Sequence, residues 1–236
     1  QPGMYEYQLA SLFSHHCQMN GAAQLAYSSI VGGGNNACVL HYVENSQVLS
    51  QGDLVLIDAG CEVECYASDI TRTFPVGGRF SDAQRALYEV VLEAQLAAIA
   101  KVRAGNHWND PHQAAARALT KGLLKLGLLR GTLTKALKTQ SYARFFMHRT
   151  GHWLGMDVHD VGDYKIDGHW RELEPGMVLT VEPGLYIPRG AKGVAKKWQG
   201  IGIRIEDDVL VTRGEPDVLT RDVPKSVEQI EALMAR

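Results

Sequence analysis

The chain has 236 residues, 45% of them apolar and 21% charged, with a formal net charge of −2. This suffices for one large domain, or two small ones, around a sizeable core, and gives no reason to expect nucleic acid or an anionic membrane as partner. No apolar stretch approaches the roughly 20 residues of a membrane span; residues 90–100, among the longest, are interrupted by Glu93 and Gln95.

The opening Gln1-Pro2-Gly3-Met4 has neither an initiator methionine nor a signal-peptide pattern, and suggests a processed form or a fragment of something longer. Residues 4–19 place Leu9, Leu12, Phe13 and, more loosely, Cys17 at helical spacing. Gly32-Gly33-Gly34-Asn35-Asn36 reads as a turn or flexible loop. Leu54-Val55-Leu56-Ile57 is a buried strand ending at Asp58-Ala59-Gly60, and residues 71–76 form a second, closed by Gly77-Gly78. Ser81-Asp82-Ala83-Gln84 is a capping-box pattern, opening a helix expected to run to about Arg103. Asp110-Pro111 has the form of another helix start with Asp as cap, carrying Ala114, Ala118, Leu119 and Leu123 toward a core. Residues 131–139 are polar and show no clear period. Strands are expected at 177–181, 185–187 and 201–211, and a short amphipathic helix over 226–236. Cys17, Cys38, Cys61 and Cys65 are too few for a disulfide scaffold and complete no zinc site; they read as reduced thiols of a cytoplasmic protein.

One repeat is visible. Residues 52–60, GDLVLIDAG, lie over residues 176–184, GMVLTVEPG: a glycine, a strand ending in a carboxylate, one residue, a glycine. Asp58 and Glu182 fall in register. Each half offers a second acid on a following strand, Asp69 before Thr71 and Glu206 after Ile205. Two similar halves, each giving two carboxylates to one centre, are the simplest explanation. These acids stand in the least polar surroundings of the chain, where an unpaired carboxylate would neutralise itself or need a cation. Arg204 can pair with one of them but not with all. Residues 148–160, HRTGHWLGMDVHD, add His148, His152 and His159 at high density, with glycines that permit close backbone approach. The combination points to a metal site. Four carboxylates and a neutral imidazole balance two divalent cations, and an oxygen-rich set with one nitrogen suits manganese, cobalt, iron or zinc. Paired ions can share a bridging hydroxide and polarise the carbonyl it attacks.

The run from His148 to Asp160 resembles the signature of proline-specific peptidases with the pita-bread fold. Asp58-Ala59-Gly60, Ser68-Asp69-Ile70-Thr71-Arg72-Thr73, Val181-Glu182-Pro183-Gly184, Ile203-Arg204-Ile205-Glu206-Asp207 and His41-Tyr42 are similar to its other blocks, in order. The likeness is strongest to the Xaa-Pro aminopeptidases and covers nearly the whole chain. It implies an α+β fold of two pseudo-symmetric halves, about 1–115 and 116–236, with a curved, largely antiparallel sheet covered by helices. It implies metal ligation by Asp58, Asp69, His152, Glu182 and Glu206, with Asp69 and Glu206 bridging two divalent ions, manganese first among the candidates. Glu182 would also handle the proton of the attacking water. His41 and His159 would steady the substrate carbonyl, His148 would assist binding or proton transfer, Arg204 would orient the acidic ligands, and Tyr27 would stand near the metals.

The implied reaction is release of the residue preceding a proline at position two of a peptide, by a homo-oligomer. Trp153 or Tyr186 is a candidate for the wall of the proline pocket. The N-terminal domain of full-length relatives is expected to be absent here. The basic loop 192–197 has no functional account. A dipeptidase limited to Xaa-Pro is the nearest alternative, with Arg171 and His169 as candidates to meet a dipeptide's carboxylate; a metal-free binding module of the same fold is the other.

Overall fold

The computed structural model describes residues 1–235. The first sheet is β1 (Ile30–Gly33), β2 (Leu54–Ala59) and β3 (Ile70–Pro75), all antiparallel, with Leu56 opposite Thr73 and Asp58 opposite Thr71. β2 and β3 do not end at the sheet's edge. Past an interruption at Gly60 and Asp69, Cys61–Val63 and Tyr66–Ala67 resume pairing with the register unchanged. Gly60 is required at the break: a Cβ there would lie 1.7 Å from the carbonyl oxygen of Ser68.

The second half repeats this plan. β4 (Val178–Val181) and β5 (Gly184–Ile187) are one bent strand, as are β6 (Ile201–Arg204) and β7 (Asp207–Leu210). β4 pairs β7 and β5 pairs β6, again in a single register on both sides of the break. Pro183, lacking an N–H, suits the break. Continuing the register across it puts Glu182 opposite Glu206. The two hairpins meet along β3: the Glu206 N–H donates to the Thr71 carbonyl at 3.1 Å, and the Thr73 hydroxyl to the Arg204 carbonyl at 3.0 Å.

Helices cover the convex side. α1 (Glu6–Met19) precedes the first hairpin and α2 (Asp82–Ile99) follows it; α3 (Asn109–Lys125) and the short α4 (Leu133–Lys138) precede the second, and α5 (Val227–Met234) follows it. Leu87, Val91 and Ala94 of α2, Leu119 and Leu123 of α3, and Ile230 of α5 are buried with Val181, Leu185, Ile203 and Val209 of the sheet in one core. Each of the Val, Leu and Ile side chains contributes roughly 1.5–3 kcal/mol through burial.

Several expectations are adjusted. Residues 201–211 are not one strand, because Ile205 and Glu206 leave the ladder. α2 stops at Ile99 and not near Arg103, as the backbone tightens: Val102 N–H bonds the Ile99 carbonyl and its side chain is fully buried. The α3 start is shifted by two residues, to a cap at Trp108, with the Asp110 carboxylate accepting the His107 N–H at 2.8 Å. The uncertain 131–139 segment contains α4, capped by Thr132. In α1, Leu12 is exposed and Glu6 is the buried residue. The Glu6 carboxylate accepts from Gly33 and Gln47 N–H, the Asn36 amide and the Tyr42 hydroxyl, tying α1 to the segment carrying His41. The expected terminal helix is α5; Arg236 lies outside the described residues.

Candidate metal centre

The breaks in the two hairpins face one another across a cavity of about 500 Å³. Asp58, Asp69, His152, Glu182 and Glu206 line it, together with His41, His148, His159, Arg204 and Tyr27. The structure therefore brings every expected ligand, together with the three further histidines, Arg204 and Tyr27, to one space. One potential ligand atom each from Asp69, His152 and Glu206 lie within 4.8 Å of one another. Glu182 joins them through its Oε1, 3.8 Å from His152 Nε2. Asp58 joins through Tyr27, whose hydroxyl contacts Oδ1 of both Asp58 and Asp69.

That hydroxyl has one proton and two carboxylates to serve. Arg204 donates to Asp58 Oδ2 at 2.5 Å, and Thr71 Oγ1 donates to Glu206 Oε2 at 2.5 Å. Positive charge within the cluster is otherwise scarce. Burial first, then the neighbouring carboxylates, pushes Glu206 well above the usual carboxylate range. Burial likewise raises Glu182 to about 7 and raises Asp58, although Arg204 opposes the shift in both. Bound divalent cations would offset the repulsion among these buried acids.

The imidazoles are oriented by backbone carbonyls. His152 Nδ1 lies 3.0 Å from the Trp153 carbonyl. A carbonyl only accepts, so Nδ1 carries a proton and Nε2 is the atom facing the acids, bonding Asp69 when the ring is protonated and free to ligate when it is neutral. Burial would lower the His152 pKa, but the hydrogen bond to Asp69 and the charge of Glu182 raise it. His148 is held differently. Its Nδ1 donates to the Arg149 carbonyl at 2.7 Å, leaving Nε2 to accept from the Tyr186 hydroxyl at 2.8 Å. Tyr186 in turn accepts from Arg204 at 3.0 Å. Burial and the nearby Arg204 charge drop the His148 pKa to about 3, so it stays neutral. His159 stands edge-on to His152, ring centroids 4.2 Å apart, and His41 is on the exposed side of the cavity.

Gly151 explains how His152 reaches the acids. A Cβ at this position would be 2.0 Å from the Thr180 carbonyl oxygen, so only glycine lets the segment lie against β4. There the Thr180 N–H bonds the His152 carbonyl and the Glu182 N–H that of Thr150, at 3.0 and 2.8 Å.

Trp153 and Tyr186, the candidates for a proline wall, do not line this cavity; the first packs against Trp108 and the second is fully buried behind the site. Arg171 and His169 do not line it either, whereas Arg149 does. Thr71, Thr180 and the Tyr186 hydroxyl were not singled out by sequence. Their roles depend on partners far along the chain, and no local spacing marks them. In the basic loop, Trp198 is buried and Lys196–Trp198 form a 3₁₀ turn.

Two broken hairpins converge acids and an imidazole on one cavity, an arrangement that could hold metal, and residues 1–213 match metallopeptidase family M24. The chain belongs to that family, whose members hold divalent metal. It is 50% identical over 234 residues to the Xaa-Pro aminopeptidase of Haemophilus influenzae, covering 99% of this chain and 54% of that protein. For the Xaa-Pro aminopeptidase of Escherichia coli the identity is 49%, covering 99% and 53%. Among solved structures, aminopeptidase PepP of Pseudomonas aeruginosa superposes with a TM-score of 0.98 at 57% identity, covering 100% of this chain and 53% of that one. A substrate complex of an Escherichia coli aminopeptidase P variant gives 0.96 at 48%, with the same coverage. The fold is thus the pita-bread α+β fold, and the chain spans about half the length of the relatives it matches.

Proposed function

We propose that the chain is the catalytic part of an Xaa-Pro aminopeptidase, which hydrolyses the bond between an N-terminal residue and a following proline. The observation that carries this reading is the convergence of Asp58, Asp69, Glu182 and Glu206 with His152 in one cavity, where burial raises Asp58, Glu182 and Glu206 above the usual carboxylate range. In this proposal the five residues hold two divalent ions, manganese first, with cobalt, zinc or iron as alternatives. When bound, the ions supply a hydroxide nucleophile at neutral pH and polarise the scissile carbonyl.

The rest falls to the chain's own side chains. Glu182, whose carboxylate lies in the cavity 3.8 Å from His152, is placed to take and return the proton of the attacking water. Arg204 fixes Asp58, and Thr71 fixes Glu206, so that the oxygens keep their aim. His159 and His41 stand at the cavity wall as donors to a carbonyl oxygen, and neutral His148 is held by Tyr186 to meet the substrate. A prolyl amide has no N–H and a fixed φ, so recognition must rest on ring shape and the carbonyl. Ile30, Leu40, Val43 and Val158 give the cavity apolar wall for that purpose.

We also take the chain as one catalytic domain of two halves. The first half would run from α1 through a broken hairpin to α2 and the second from α3 and α4 through a broken hairpin to α5, with the junction taken between α2 and α3 because residue 115 falls inside α3. A homo-oligomer in the cytoplasm remains part of the proposal, resting on the family resemblance and on cysteine usage.

Hydrolysis of a tripeptide Xaa-Pro-Yaa and a dipeptide Xaa-Pro, with manganese and with chelator, tests the reading. Metal-dependent cleavage of the tripeptide is expected. Cleavage of the dipeptide alone would make the chain a dipeptidase, and cleavage of neither would remove the catalytic reading.

A further inference from the structure

A depression of about 470 Å³ adjoins the catalytic cavity, lined by Trp108, Arg149, Gly151, Tyr164, Lys165 and Trp170. Arg149 and Gly151 line both spaces, so the two meet at that wall. The surface is aromatic. Trp108 and Tyr164 lie with centroids 4.6 Å apart over Trp153, and Tyr164 is 38% exposed. It is also cationic: Arg149 Cζ stands 4.9 Å, and Lys165 Nζ 4.3 Å, from the Trp170 ring centroid.

Among the described residues neither charge forms an ion pair with an acid. The Arg149 guanidinium donates to the neutral carboxamide oxygen of Asn109, and partial burial lowers its pKa. No carboxylate lines the depression among the described residues. Two cations on one indole, beside apolar rings, suit a peptide segment bearing a carboxylate.

Topology supplies the occupant. An aminopeptidase keeps the free N-terminus inside, with one residue before the scissile bond. Everything after the proline must leave the cavity, and a groove continuous with the cavity is where it goes. We propose that this depression holds the peptide from its third residue onward, with Arg149 and Lys165 recognising a carboxylate there, from a side chain or the C-terminus. The proposal rests on the aminopeptidase reading.

The test compares Ala-Pro-Ala-Ala-amide, the same peptide as free acid, and Ala-Pro-Glu-Ala-amide, on the manganese-loaded chain. Each anionic peptide is expected to exceed the neutral one about tenfold in kcat/KM, chiefly through KM. The advantage should shrink in R149Q and in K165Q, vanish in the double variant, and persist in K196Q on the distant basic loop. A gain for the free acid alone would assign the carboxylate to the C-terminus; a gain for the glutamyl peptide alone would assign it to a side chain. Equal rates for all three peptides, or an advantage surviving in the double variant, would overturn the proposal. If no peptide is cleaved, the aminopeptidase reading falls. The subsite is then decided by tryptophan fluorescence titration with the same peptides: tighter binding of the anionic ones, lost in the double variant, supports it, and its absence overturns it.

Discussion

Glu182 is a residue at which ionisation and cation binding compete. Without metal its pKa is raised from 4.5 to about 7, burial being the largest cause. Between those values the folded chain retains a proton that the unfolded chain has lost. Stability of the metal-free protein must therefore fall as pH rises through that window, by up to about 1.4 kcal/mol per pH unit for one group. Asp58 and Glu206 are raised too and act in the same direction. Urea melts of chelator-treated protein should give a lower midpoint at pH 7.5 than at pH 5, with manganese reversing the trend; a flat profile would contradict the electrostatic picture. Thr71 tests the same site with a single hydroxyl. Thr71→Val removes the donor to Glu206 and is expected to weaken metal binding by roughly 10–100-fold, read by competition with a chelating dye. This hydroxyl could not be singled out in the sequence, because it matters only through a partner 135 residues away.

The broken hairpin is the element that makes the centre. Asp69, Glu182 and Glu206 stand where a strand leaves the ladder and rejoins it in the same register, while Asp58 stays paired in β2 opposite Thr71. The acids were legible as strand ends because their flanks are apolar and β-branched. The break within 201–211 was not, since Ile201 to Glu206 alternates as an unbroken strand would and the apolar run resumes at Val209. Glu6 was also hidden: an acid in the first turn of a helix normally faces water, and only the fold supplies its four donors. Gly151 is the sharpest probe at this scale. Gly151→Ala would force the segment off the Thr180 carbonyl, shifting His152 by a fraction of an ångström or more. Activity should fall on the order of 100-fold, with about 1–3 kcal/mol lost in stability. Near-normal activity in this variant would mean that the approach to β4 does not position the imidazole.

At the scale of the molecule, the two halves are locked by a buried charge network next to the site. Arg72 donates to Asp207 at 2.7 Å and to the Glu206 carbonyl at 2.6 Å, while Asp207 also takes Lys225, Gln95 and Thr220. Those attractions hold the Asp207 pKa low against its burial. Arg72→Met leaves Asp207 short of its main partner and should cost about 3–5 kcal/mol in denaturant unfolding, with loss of metal affinity because the Glu206 backbone is released. The pseudo-repeat was readable from the aligned strands 52–60 and 176–184, whereas the clamp between the halves needed three-dimensional contact to appear.

The most direct test of the central claim is calorimetric titration of the chelator-stripped chain with manganese. The account predicts two ions per chain, binding more tightly as pH rises and reduced in Asp69→Asn. No binding, or binding unaffected by Asp69→Asn, would contradict a metal centre built on these residues.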